Sequence, residues 1–204
     1  MSEPLARIAR ILQPIRDDDG NGSELTTDRG ALAHNPAIVD VETIPGVMNA
    51  QECAKVLAMA SHLSRKSGDP VNTGRIPRQE ETAWIYERMA DVFERANKKY
   101  RFRVVGLIEE PQVTLYAQGD PYPWQMDCAR NFTANRKLSI SVALMDPLEY
   151  HGGVLEFPGR EPAKSAPPAG TAIIFPSFLA HRMSPVTQGR RVSLVAYAYG
   201  PTFE

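Results

Sequence analysis

Residues 171–201 read TAIIFPSFLAHRMSPVTQGRRVSLVAYAYGP. Two runs in it, TAIIFP and VSLVAYAY, are of strand length, rich in β-branched and aromatic residues, and bounded by Pro and Gly turn signals. Towards the N-terminus, QVTLYAQ (112–118), KLSISVALM (137–145) and GVLEF (153–157) repeat that texture between Gly, Pro, Asp and Asn residues. Short apolar or alternating runs so spaced are the signature of an antiparallel sandwich or barrel. By pattern alone the second half is a jelly roll or another Greek-key fold.

Before Tyr100 the period is helical. Asn49 and Glu52 make a capping box ahead of Cys53, Val56, Leu57 and Ala60. Ile85, Met89, Val92, Phe93 and Ala96 form the apolar stripe of a helix over about 82–97, with charged residues on its other face. Leu5, Ile8, Leu12 and Ile15 share one face of a short helix that Ser2 can cap, and RDDDGNGSE (16–24) reads as a linker. Helices first and strands afterwards predict an α+β chain in which helices pack against a β-sandwich. The expected division is 1–35 as N-terminal helix and linker, and 36–204 as one domain, with helices over about 49–97 and a β core over about 104–200.

Charge excludes some partners. Lys and Arg number 23 against 24 Asp and Glu, and the two signs are mixed along the chain. That leaves no electrostatic footprint for nucleic acid or an anionic membrane. No apolar run reaches the length of a membrane span, and the amphipathic N-terminus lacks the apolar core of a secretory signal. The two cysteines, Cys53 and Cys128, fit reduced thiols better than a disulfide framework. The expectation is a cytoplasmic protein.

The candidate chemistry lies in PYPWQMDC (121–128) and in the stretch quoted first. Residues two apart on a strand share a side, so Gln125 and Asp127 would face one cavity, with Met126 and Cys128 turned away. His181, beyond TAIIFP and a turn, is the distant partner with which a β-sandwich can assemble a metal site with open positions. Taken singly, an Asp or His of this kind reads as a turn residue or a satisfied hydrogen-bond partner. Arg191 lies ten positions after His181, and Ser193 shares its strand face. An inward guanidinium is costly unless it meets an anion, for which it offers two parallel donors. An internal carboxylate is the alternative partner.

With those residues in place, the chain resembles the iron(II)- and 2-oxoglutarate-dependent oxygenases of the prolyl-4-hydroxylase-like branch, from about IPGVMNAQEC (44–53) to the C-terminus. The likeness is densest in QVTLYAQGDPYPWQMD, RKLSISVALMDPLEYHGGVLEF and the opening stretch. It implies a double-stranded β-helix (jelly-roll) core with supporting N-terminal helices. It implies Asp127 and His181 as iron ligands, Arg191 with Ser193 on the distal carboxylate of 2-oxoglutarate, and Tyr116 lining the co-substrate pocket, where a plain core aromatic is the alternative. The implied cofactors are Fe(II), 2-oxoglutarate as co-substrate and O2, with ascorbate as an accessory. The implied reaction hydroxylates an amino acid, a peptidyl-prolyl or another small substrate and releases succinate and CO2.

The pattern of the family has His-x-Asp where this chain has Gln125-Met126-Asp127. An amide oxygen is a weaker and harder donor than imidazole. Gln125 as a weak third ligand, Gln125 turned away, and a non-catalytic jelly roll that binds 2-oxoglutarate or a partner are the three readings of that change. His151, in a Gly-rich turn, reads as a surface residue. His34 and His62 have no motif around them. Trp124 and Tyr122 read as packing or as the pocket mouth, and Arg130, Asn131 and Arg136 as a solvated loop, with contact to substrate as the alternative.

Overall fold

The computed structural model describes residues 35–59, 72–120 and 122–202. The helix expected over the first fifteen residues, the linker after it, His34 and His62 lie outside the described residues. Among the described residues there are two α-helices, α1 (Ala50–Met59) and α2 (Ala83–Tyr100). The Asn49 side chain accepts from the Glu52 amide at 2.9 Å and the Glu52 carboxylate from the Asn49 amide at 2.8 Å, the reciprocal box that the sequence predicts. Ile85, Met89, Val92, Phe93 and Ala96 are all buried, as their spacing requires. Helix α2 stops at Arg101, which takes a left-handed conformation with φ 58°. Asn97 then clamps the exit, because its side chain both donates to and accepts from the backbone of Phe102. No helix among the described residues is long and apolar enough to cross a membrane.

The strands are β1 (Glu42–Ile44), β2 (Asn72–Arg75), β3 (Gln112–Ala117), β4 (Arg136–Ala143), β5 (His151–Gly152), β6 (Leu155–Glu156), β7 (Ala172–Pro176), β8 (Arg182–Met183), β9 (Val186–Gln188) and β10 (Arg190–Tyr199). Six of them form one antiparallel sheet in the order β1-β7-β4-β10-β3-β2. Two short ladders, β5–β9 and β6–β8, stand apart from it. The three longest runs read as strands from their composition are the centre of the large sheet. Its two edge strands come from the N-terminal half, where the pattern reads as helical. At three and four residues, β1 and β2 are too short for alternation to show.

The register divides the sheet cleanly. Across β3, β10, β4 and β7, one face carries Val113, Leu115, Leu194, Val192, Ala196, Leu138, Ile140, Val142, Ala172 and Ile174. These pack with the stripe of α2 and with Cys53 and Val56 of α1 into the main core. Each fully buried aliphatic side chain there contributes roughly 1.5–3 kcal/mol. The opposite face carries Arg191, Ser193, Val195 and Tyr197 of β10, Thr114 and Tyr116 of β3, Ser139 and Ser141 of β4, and Ile173 and Phe175 of β7. A smaller apolar cluster of Tyr116, Leu155, Phe175, Met183 and Val186 lies on that side.

Candidate functional site

The 122–128 segment is not a strand. A single bridge links Gln125 to His181 through two backbone hydrogen bonds of 2.9 and 2.8 Å. Pro123 has no N–H with which to prolong a ladder. The amides of Asp127 and Cys128 both turn instead to the carbonyl of Ser177 at 2.9 Å. The alternation expected of a strand survives around Asp127 nonetheless, with Met126 56% exposed and Asp127 8%.

This bridge sets Asp127 beside His181. Asp127 Oδ2 and His181 Nε2 are 3.6 Å apart, and both side chains are buried. His181 Nδ1 is 3.0 Å from the carbonyl of Leu179, which can only accept, so Nδ1 carries a proton and, in the neutral ring, Nε2 keeps its lone pair towards Asp127. Phe175 at 4.7 Å and Phe157 at 6.2 Å, centroid to centroid, box the imidazole ring. Two donors on bonds of about 2.1 Å at right angles would be roughly 3 Å apart. The pair therefore needs little adjustment to share a cation.

Gln125 is engaged elsewhere. Its Nε2 donates to the Tyr122 hydroxyl at 2.6 Å, and Tyr122 stands edge-on to Tyr116 at 5.2 Å. Among the described residues, no group of three or more His, Cys, Asp or Glu side chains could hold a metal ion. An additional side-chain donor would therefore be of another type, such as this amide. His151 is exposed on β5 and Cys128 Sγ lies against the Ala134 carbonyl, so neither supplies one.

Arg191 is 1% exposed, and among the described residues no carboxylate forms an ion pair with it. Its Nη1 donates to Ser193 Oγ at 3.2 Å, its guanidinium lies 5.2 Å from the centre of the Tyr116 ring, and its Nε has no hydrogen-bond partner. The nearby Tyr150 hydroxyl and, on β4, the Ser141 hydroxyl are also buried without partners. Burial pushes the Tyr150 phenol above its ordinary pKa, and the Arg191 guanidinium pulls against that. Gly153 explains the HGG turn, because a Cβ there would stand 2.9 Å from Arg191 Cδ, at a backbone φ of +62°. A buried guanidinium without a counter-charge costs several kcal/mol. An anion with several acceptor oxygens would relieve it.

Tyr116 joins the two halves of the site: it lines one cavity with Asp127, His181, Tyr122, Ser141 and Tyr197 and lies beside Arg191. That cavity has room for roughly one or two waters. A dicarboxylate is larger, so binding one there requires the aromatic lining to shift. Burial raises the phenols of Tyr122 and Tyr197, and the Asp127 carboxylate adds to it. Trp124 is half-exposed beside the site, with the Arg182 guanidinium 4.7 Å over its ring. Arg136, which reads from sequence as part of a solvated loop, is instead bound into a buried network. Arg136 is the first residue of β4, directly before the buried Lys137–Ala143 run.

Residues 111–199, which contain every one of these groups, match the 2OG-Fe(II) oxygenase superfamily model. The matched segment, a little under half of the chain, is similar to that superfamily. A PKHD-type hydroxylase of Acidovorax ebreus is 36% identical over 95 residues, 42% of this chain and 41% of the relative. One of Teredinibacter turnerae is 33% identical over 92 residues, with the same coverage. The chain thus spans about two fifths of the length of these relatives. Among solved structures, a Pseudomonas putida prolyl-4-hydroxylase superposes with a TM-score of 0.62 at 18% identity, covering 81% of this chain and 95% of that one. The viral collagen prolyl hydroxylase of Paramecium Bursaria Chlorella virus-1 does so at 0.60 and 20% identity, covering 79% and 96%. The fold is that of these two prolyl hydroxylases.

Proposed function

We propose that the chain is a non-haem Fe(II)- and 2-oxoglutarate-dependent dioxygenase, with 36–204 as a single domain whose sheet and short ladders make a double-stranded β-helix. The observation that carries this reading is the presence, on either side of Tyr116, of Asp127 with a tautomer-fixed His181 and of a buried, uncompensated Arg191. Asp127 and His181 would hold Fe(II), and the Gln125 amide would be a weak third donor of the same charge as the imidazole it replaces. Arg191, with Ser193, would take the distal carboxylate of 2-oxoglutarate, and Tyr116 would wall the chain of that ligand. The bound iron would supply oxidative decarboxylation of 2-oxoglutarate with O2, giving succinate and CO2 and leaving an oxidant for a C–H bond.

The protein's own residues do the rest. The Leu179 carbonyl keeps the His181 proton on Nδ1, so that Nε2 remains a donor. Phe157 and Phe175 fix the ring plane and exclude water from it. Arg191 orients the co-substrate by its far end, which converts binding energy into position at the near end. The substrate hydroxylated would be an amino acid, a peptidyl-prolyl group or another small molecule, and the names of the relatives and neighbours support hydroxylation and, among these, a prolyl group; ascorbate would be an accessory reductant. Trp124, stacked with Arg182, is a suitable rim for an apolar ring.

Succinate release from 2-oxoglutarate in the presence of Fe(II) tests the proposal. Wild-type protein should form succinate and His181→Ala should not. Equal traces from both would leave the non-catalytic jelly roll as the remaining reading.

A further inference from the structure

Arg136 opens β4 and sends its donors in two directions. Nε and Nη2 grip the Glu109 carboxylate at 2.8 and 2.7 Å, while Nη1 donates to the backbone carbonyl of Asp127 at 3.1 Å. The plane of the guanidinium lies over Tyr197, 3.5 Å from the ring centre, and Tyr197 lines the same cavity as Asp127 and His181. The Tyr199 hydroxyl bonds to the same Glu109 carboxylate. The side chains of Arg136 and Glu109 are 11% and 8% exposed. An ion pair alone would require only the two bonds to Glu109. The third bond goes to the peptide of a candidate ligand.

That peptide needs support. Asp127 belongs to no strand, and the bridge nearest to it is at Gln125. Its N–H is held by the Ser177 carbonyl and its C=O by Arg136, so the residue is fixed from both sides only while the guanidinium is in place. With an amide at 125 in place of an imidazole, a cation here depends more heavily on Asp127 being preset. We propose that Arg136 is a positioning residue for Asp127, holding the carboxylate ready for a divalent cation through the Asp127 carbonyl. The inference rests on the metal-site reading given above.

Mn(II) binding measured by calorimetry or by loss of the free-ion electron paramagnetic resonance signal tests it without turnover. Arg136→Gln and Arg136→Lys should each weaken Mn(II) binding by about 10–100-fold, the usual loss when the support of a metal ligand is removed. Lysine keeps the charge and can pair with Glu109, but it has no second arm for the carbonyl. Glu109→Gln leaves the bond to Asp127 in place, so it should lower the melting temperature while Mn(II) affinity stays within a few-fold of wild type. If Arg136→Gln does not fold, the lysine variant, which retains the ion pair, decides the matter. Unchanged affinity in the arginine variants overturns the proposal. So does a loss that follows melting temperature equally in all three variants. A wild type that binds no Mn(II) overturns the metal reading and this inference together, whereas binding insensitive to Arg136 overturns this inference alone.

Discussion

The two faces of strand β10 differ more than any two regions of the molecule. Val192, Leu194, Ala196 and Ala198 point to the helices and close a dry core. Arg191, Ser193, Val195 and Tyr197 point the other way, into a wall with buried hydroxyls and a cation that lacks a counter-charge. One backbone therefore supports a face that maximises stability and a face that gives some of it up. Among the described residues, three of the five buried side-chain atoms without partners, on Arg191, Tyr150 and Ser141, lie on or beside this face, and the other two, on Glu42 and Asn72, lie on the edge strands. Uncompensated polarity gathered on one wall marks a place built for a polar ligand.

Neighbouring substitutions on β10 should separate the faces most sharply. Leu194→Ala should destabilise the protein by about 2–5 kcal/mol in a denaturant titration, as a buried leucine truncation does. Arg191→Met should leave the ligand-free protein as stable or more so, by up to about 1–4 kcal/mol. The same variant should lose 2-oxoglutarate affinity by about 30-fold or more, because the charged acceptor loses its partner. A destabilising Arg191→Met would mean that the guanidinium is a structural part of the core, and the contrast between the faces would fail.

The next effect in size concerns Gln125. Its amide is drawn to the Tyr122 hydroxyl, whereas an imidazole at the same place would face the Asp127–His181 pair as a stronger donor. Gln125→His should tighten Mn(II) or Fe(II) binding by about tenfold or more, about 1.4 kcal/mol. No change in affinity would show that position 125 points away from the cation.

Much of this contrast was legible in the sequence. The alternation of VSLVAYAY and KLSISVALM assigns each residue a face without reference to structure, and the stripe of α2 names the partner of the apolar one. Arg191 and Ser193 could be singled out because a guanidinium is costly on an inward face, and Asp127 and His181 because their placement was joined to the family resemblance. Other parts were not legible. Strands β1 and β2 are too short to show a period. The support that Arg136, Ser177 and Leu179 give is through backbone carbonyls and a distant carboxylate, and no residue type announces a carbonyl acceptor. Gly153 could be read as a turn glycine, but its clearance for the Arg191 stem exists only once the chain has folded.

The smallest expected effect is on pH. The phenols of Tyr100 and Tyr197, one over the core and one on the site wall, are both raised, chiefly by burial. A raised phenol retains its proton in the folded state when the unfolded chain has already released it, so the unfolded chain binds fewer protons. Stability from this source is therefore complete below about pH 10, the unfolded tyrosine value, and is lost as pH rises above it. Urea midpoints should be level through neutrality and fall above that point. A midpoint indifferent to alkali would mean that these rings are reached by water.

The function of the site turns on where a cation and a dicarboxylate sit. A crystal structure of the protein grown anaerobically with Mn(II) and 2-oxoglutarate tests it most directly. The expected result is metal density bonded to Asp127 and His181 Nε2, with the far carboxylate of 2-oxoglutarate on the Arg191 guanidinium and the Ser193 hydroxyl. Metal or 2-oxoglutarate bound elsewhere, with the Asp127–His181 pair bare and Arg191 still alone, would contradict it.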